Sequence, residues 1–131
     1  MKFYDCKTAP SPRRVRIFIA EKNIDVETID INLKNGEHVA QSITSETQVE
    51  VSFVRTDLAK IDQVQKIVPA TKKIFGTVDI LVNAAGLTDR GNLLNTSVAL
   101  YDRMFAVNTR APFFLMQDVV KLMIQKNVQG T

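Results

Sequence analysis

Apolar and polar residues alternate in some stretches of this chain and recur every three or four positions in others, and the two periods take turns. Lys2-Phe3-Tyr4-Asp5-Cys6 reads as a short strand. Ser11-Pro12 then starts a helix, with a hydroxyl N-cap followed by proline at the first helical position. Val15, Phe18, Ile19 and Lys22 fall at helical spacing, and Asn23 is the stop. Val26 to Leu33 alternates as a second strand. Asn35-Gly36 predicts a turn, followed by a short helix with Val39, Ala40 and Ile43 on one face. Val49 to Val54 is a third strand that ends at Thr56-Asp57.

Ile61, Val64, Ile67, Val68, Ile74 and Phe75 mark the face of a further helix, which Pro69 is expected to bend or weaken and Gly76 to close. Val78 to Val82 is a continuous apolar run, as expected of a strand covered on both faces. From Val98 to about Lys126 the period is helical again. Strand alternating with helix predicts an α/β domain with a parallel sheet and right-handed crossovers.

With 131 residues and 45% hydrophobic content, the chain is sized for one domain with one core. The net charge of +3 comes from Lys and Arg scattered among acidic residues, a solvated surface rather than a nucleic-acid interface. Cys6 is the lone cysteine and cannot form an internal disulfide, which fits a reducing, cytoplasmic compartment. No apolar run approaches the about 20 residues that span a bilayer, and the start at Met1-Lys2 does not read as a signal peptide. His38 has no second His or Cys at workable spacing, so no metal site is expected.

Several motifs, in one order and at workable spacing, carry a family resemblance. They are Val54-Arg55-Thr56-Asp57-Leu58, then Phe75-Gly76 followed by Val78-Asp79-Ile80-Leu81-Val82-Asn83-Ala84-Ala85-Gly86, then Met104-Phe105-Ala106-Val107-Asn108. From about Gly36 onward the chain resembles the short-chain dehydrogenase/reductase family. The resemblance implies a truncated, Rossmann-like three-layer α/β domain, with a parallel sheet of about four strands in the order 3-2-1-4. Those strands are expected near residues 49–55, 26–32, 2–6 and 78–83. Lys2 to Lys22 instead resembles the thioredoxin-like start of a bacterial glutathione transferase. The chain therefore reads as a chimera within one domain, 1–35 from one family and 36–131 from the other, with Asn35-Gly36 as the junction.

The dehydrogenase resemblance implies NAD or NADP as cofactor and a small-molecule substrate. It assigns Asp57, with Leu58, to the adenine edge of the cofactor, although Thr56-Asp57 can also simply cap the turn into the next helix. It sets Asn83, Ala84, Ala85 and Gly86 along the cofactor crevice. These small residues also suit a sharp turn, and Gly86 can take φ > 0. Asn108 corresponds to the active-site asparagine. Pro112, four residues later, has no N–H for the residue-108 carbonyl, so a kink is expected and the freed carbonyl can hold an ordered water. Asp30 is near the end of the second strand, where such folds keep a carboxylate for the ribose, but it falls in the transferase-like segment and reads as coincidence.

Other parts of the family's machinery are missing from these residues. Where the glycine-rich phosphate loop would stand there is Lys7-Thr8-Ala9-Pro10-Ser11-Pro12, without glycine and with two prolines that each lack an N–H donor, so tight dinucleotide binding is not expected of this chain. Tyr4 and Tyr101 are followed four residues on by Thr8 and Phe105, not lysine, and the chain stops at Gln129-Gly130-Thr131 before a Ser/Tyr/Lys set. The expectation is a fragment of an NAD(P)-dependent oxidoreductase, inactive alone. A glutathione-binding module, with Thr8 and Ser11 as the hydroxyls near the sulfur, and a non-catalytic interaction fragment are the alternatives. Self-association is expected through an apolar edge at Val78–Val82 and the helix from Val98. That helix carries Leu100, Tyr101, Met104, Phe105, Phe113, Phe114, Leu115, Met116, Val119, Val120, Leu122 and Met123 on more than one face.

Overall fold

The computed structural model describes residues 2–3, 26–30, 33–89 and 91–129. The expected helix at residues 11–22, the glycine-free loop, Cys6, Thr8 and Ser11 lie outside them. Strands β1 (Lys2–Phe3), β2 (Val26–Asp30) and β3 (Val51–Arg55) form one parallel sheet in the order β1-β2-β3. Val26 pairs with Val51 at one end of the ladder and Asp30 with Arg55 at the other. Helix α1 (Leu33–Thr47) connects β2 to β3 and packs on both. That is the βαβ unit which two parallel neighbours require.

Asn35-Gly36 is not a turn, and the second strand ends before Leu33. Leu33 and Asn35-Gly36 both belong to α1, whose buried stripe is Gly36, Val39, Ala40 and Ile43. The ring of Phe53 on β3 occupies the space that a Cβ at position 36 would take. Glycine is there so that the helix can approach the sheet, not to break the chain. The helix ends where Gln48 takes a left-handed backbone, φ 59°, and donates its N–H to the Thr44 carbonyl at 2.9 Å.

Helix α2 (Ile61–Phe75) runs unbroken through Pro69. The proline is exposed, as is Gln65, whose carbonyl it cannot serve, so water can take that partner's place. Val64, Ile67, Val68 and Thr71 form the buried face at helical spacing. Gly76 closes the helix at φ 78°, its N–H on the Lys72 carbonyl at 2.9 Å.

Residues 78–83 do not form the expected full strand. Leu81 makes a single strand-type bridge, while Val78 is buried in the core. A ladder needs a paired neighbour, and the expected one was residues 2–6, of which 4–6 are outside the described set. A tight turn comes next, in which the Asn92 carbonyl accepts from the N–H groups of Asn95 and Thr96.

Helix α3 (Val98–Phe105) is capped by the Ser97 hydroxyl, which accepts from the Leu100 N–H at 3.2 Å. It continues into a π-helical segment, Ala106–Arg110, and then α4 (Ala111–Lys126). Ala111, Leu115, Val119 and Leu122 of α4 interlock with Val64, Ile67 and Val68 of α2 and with Val78. Leu81, Ala84 and Ala85 pack against this core from the side.

Replacing Gly36 by alanine is expected to destabilise the fold by about 1–3 kcal/mol through overlap with Phe53. The direction opposes alanine's better helix propensity. Urea unfolding of Gly36→Ala, alone and combined with Phe53→Ala, checks this. The penalty should vanish once the ring is gone.

Candidate functional site

The loop between β3 and α2 is built around Asp57. One carboxylate oxygen accepts the Ala59 N–H at 3.0 Å, and the Asp57 carbonyl accepts the Lys60 N–H at 2.9 Å. The Asp57 N–H donates to the Gln63 side chain at 2.8 Å. This is an Asx-type turn with a glutamine reaching back from the first turn of α2. Lys60, the N-cap residue of α2, makes no side-chain cap bond. Asp57 therefore stabilises the loop rather than capping the helix directly, and Thr56 beside it is buried.

The second loop is Asn83-Ala84-Ala85-Gly86-Leu87. Asn83 and Gly86 are exposed, and the two alanines are half-buried against the core. Gly86 does not take positive φ, which among the described glycines belongs to Gly76 alone. A Cβ at position 86 would lie 3.7 Å from the Asn108 side-chain oxygen, an ordinary contact. The turn is made without a left-handed residue, because a side chain from another element holds its end.

That side chain is Asn108. Its Oδ1 accepts the Leu87 N–H at 2.8 Å, and its Nδ2 donates to the Leu87 carbonyl at 2.7 Å. Both backbone groups of one loop residue are thus satisfied by one amide. The backbone carrying Asn108 is π-helical rather than simply kinked. The Ala111 N–H reaches back to the Ala106 carbonyl, five residues earlier. Pro112 supplies the reason: in an α-helix its ring would press on the Asn108 carbonyl, and the wider turn relieves that clash.

Leu58, Asn83 and Ala85 line one small crevice together with Pro112 and Leu115. The structure thus brings together the loop after β3, the turn after residue 82 and the start of α4. Asp57 adjoins this crevice in sequence without lining it. Arg110 was missed in the sequence. Its Nη2 donates to the Ala59 carbonyl at 2.6 Å, across 51 positions. No local pattern signals such a contact. Among the described residues no group of His, Cys, Asp and Glu could hold a metal ion, and no helix is long and apolar enough to cross a membrane.

The apolar residues expected on more than one face of the helix from Val98 divide between the core and the surface. Leu115, Val119 and Leu122 are core residues, so no partner can use them. On the opposite side of α4, Phe113, Met116, Val120 and Ile124 are exposed, Val120 by 51% and Ile124 by 74%. Tyr101 and Phe105 on α3 are exposed too, with ring centroids 4.5 Å apart.

Comparison with known proteins bears on what this arrangement is. A family model described as short chain dehydrogenase matches residues 15–131. The match includes residues 15–35, within the segment expected to be transferase-like, and runs through the expected junction at Asn35-Gly36. An uncharacterized oxidoreductase of Thermotoga maritima is 34% identical over 111 residues, covering 85% of this chain and 43% of that protein. The uncharacterized oxidoreductase YgcW of Escherichia coli is 38% identical over 90 residues, covering 69% of this chain and 34% of its own length. The chain thus spans less than half the length of these relatives. A short-chain dehydrogenase/reductase from Serratia marcescens superposes with a TM-score of 0.80 at 25% identity, over 92% of this chain and 49% of that one. The L-sorbose reductase of Gluconobacter frateurii, solved with NADPH and L-sorbose, gives 0.85 at 18% identity, over 95% and 47%, a likeness of fold. With the family pattern extending from residue 15 to the last residue over a Rossmann-like α/β fold, the chain belongs to the short-chain dehydrogenase/reductase family.

Proposed function

We propose that the chain is a fragment of an NAD(P)-dependent oxidoreductase acting on a small molecule, that its Asp57–Leu58 and Asn83–Gly86 loops belong to the cofactor side of the site, and that these 131 residues do not turn over or hold dinucleotide tightly, because the glycine-rich loop and the Ser/Tyr/Lys set are missing. The observation that carries the reading is the Asn108 amide, which locks the Leu87 backbone at the end of the Asn83–Gly86 turn, with Leu58 and Asn83 meeting beside Pro112. Asp57 spends one carboxylate oxygen on Ala59, and its carboxylate can also accept from an adenine amino group. Leu58 offers an apolar wall for the base, and the Asn83–Gly86 turn offers backbone for the rest of the nucleotide. The nicotinamide, when bound, supplies or accepts a hydride.

Asn108 has two jobs in this reading. Its side chain braces the crevice, and its backbone carbonyl, which Pro112 cannot serve, holds a water that leads protons to the site. Turnover is not expected, because no tyrosine with a lysine four residues on is present to act as the acid. Val78–Val82 is read as a fourth strand beside β1, which the bridge at Leu81 and the burial of Val78 support. Cytoplasmic residence is read from the lone Cys6. No observation favours the glutathione-binding alternative.

Self-association is part of the same proposal. The stripe Phe113, Met116, Val120 and Ile124 lies on the far side of α4 from the core. An apolar face of that kind is covered in an assembly or drives aggregation.

Calorimetric titration with NADH and NADPH is expected to give only weak binding, with no cofactor-dependent absorbance change across a panel of small alcohols and ketones. Tight, submicromolar binding, or turnover well above a heat-killed control, would sink the reading. Replacing Asn108 by aspartate sets an oxygen against the Leu87 carbonyl in place of the Nδ2 donor. That change should cost about 1–2 kcal/mol in urea unfolding and weaken dinucleotide binding, whereas an unaltered titration would show that the brace is idle. At about 20 μM the chain should sediment as a dimer or larger species, and Val120→Lys should return it to monomer. A wild-type monomer at that concentration rules the association out.

A further inference from the structure

We propose that Arg110 is a positioning residue, tying the Thr56–Lys60 loop to the π-helical segment so that the two crevice loops keep one fixed spacing for the adenosine half of a dinucleotide. What the loop meets rests on the cofactor reading above, whereas the tether itself rests on geometry alone.

Arg110 is exposed, yet its Nη2 lies 2.6 Å from the Ala59 carbonyl. A charge-assisted bond from a guanidinium to a backbone carbonyl is stronger than a neutral one, and it offsets side-chain entropy only where it is made. The peptide it grips joins Ala59 to Lys60, and the Lys60 N–H of that same peptide donates to the Asp57 carbonyl. Drawing charge from the carbonyl strengthens the N–H on the other side, so Arg110 acts through the Asp57 turn. Two residues earlier in the π segment, Asn108 holds both backbone groups of Leu87. One short segment therefore sets the positions of both loops. Leu58 from the first and Asn83 and Ala85 from the second line the same small crevice.

Lysine can supply one donor to the Ala59 carbonyl, and alanine none. In Arg110→Ala, amide hydrogen exchange at Ala59 and Lys60 should quicken about three- to tenfold, while amides of Leu115 and Val119 keep their protection. Arg110→Lys should restore most of the difference. Titration with adenosine monophosphate and with NADPH should weaken about three- to tenfold in the alanine variant, with nicotinamide mononucleotide unaffected. Unchanged exchange at Ala59 and Lys60 in Arg110→Ala overturns the proposal, as does equal weakening for both halves of the dinucleotide. If the wild-type protein binds no nucleotide, the cofactor reading fails, and the exchange result alone decides whether Arg110 is a tether.

Discussion

Proline at position 112 has no N–H to give the Asn108 carbonyl, and its ring would crowd that carbonyl in a regular helix. The site is arranged around this constraint. The helix answers with five π-helical residues, Ala106–Arg110, before α-helical winding resumes at Ala111. A wider turn changes the phase between the helical turns on either side of it. Here the segment sends Asn108 to the Leu87 backbone and Arg110 to the Ala59 carbonyl, while α4 beyond it still buries Ala111 and Leu115. Fixing the helix on the core fixes the two loops as well.

The core explains why the segment does not simply straighten. Helices α2 and α4 interlock through Val64, Ile67, Val68, Leu115, Val119 and Leu122, and Ala84 and Ala85 pack at the edge of that cluster. Regularising the segment would turn the buried stripe of α4 away from α2. Several large side chains would then be exposed, at roughly 1.5–3 kcal/mol each. Local strain at Pro112 is small beside that loss. The loop residues are anchored twice, by alanines packed on the core and by hydrogen bonds from the π segment, so the crevice is organised in the chain itself.

Helix α4 is apolar on two faces, one of which is used within the domain. Burial of Leu115 and Val119 accounts for the first face, and Phe113, Met116, Val120 and Ile124 are left on the second. Periodicity shows such a helix to be too apolar for a single sheet surface, but it cannot sort the residues between faces. That sorting depends on which side α2 occupies.

Much of the fold was written in local pattern. Strand β3, helix α2 with its stop at Gly76, and the helical stretch from Val98 can be read from period and punctuation, because those signals act over a few residues. Asn35-Gly36 misled, since a glycine that breaks a helix and one that lets it approach a Phe53 ring look the same in sequence. Gly86 misled for a related reason: the turn is held by Asn108, from a distant helix, and needs no left-handed residue. By itself the sequence determined the family, the alternation of strand and helix, and the presence of Asn108 and Pro112 at a telling spacing. Only the tertiary structure decided that the constraint becomes a π segment, that Asn108 binds loop backbone, and that Arg110 reaches Ala59. Those contacts join positions 21 and 51 apart, and a hydrogen bond between distant residues leaves no periodic trace in a single chain.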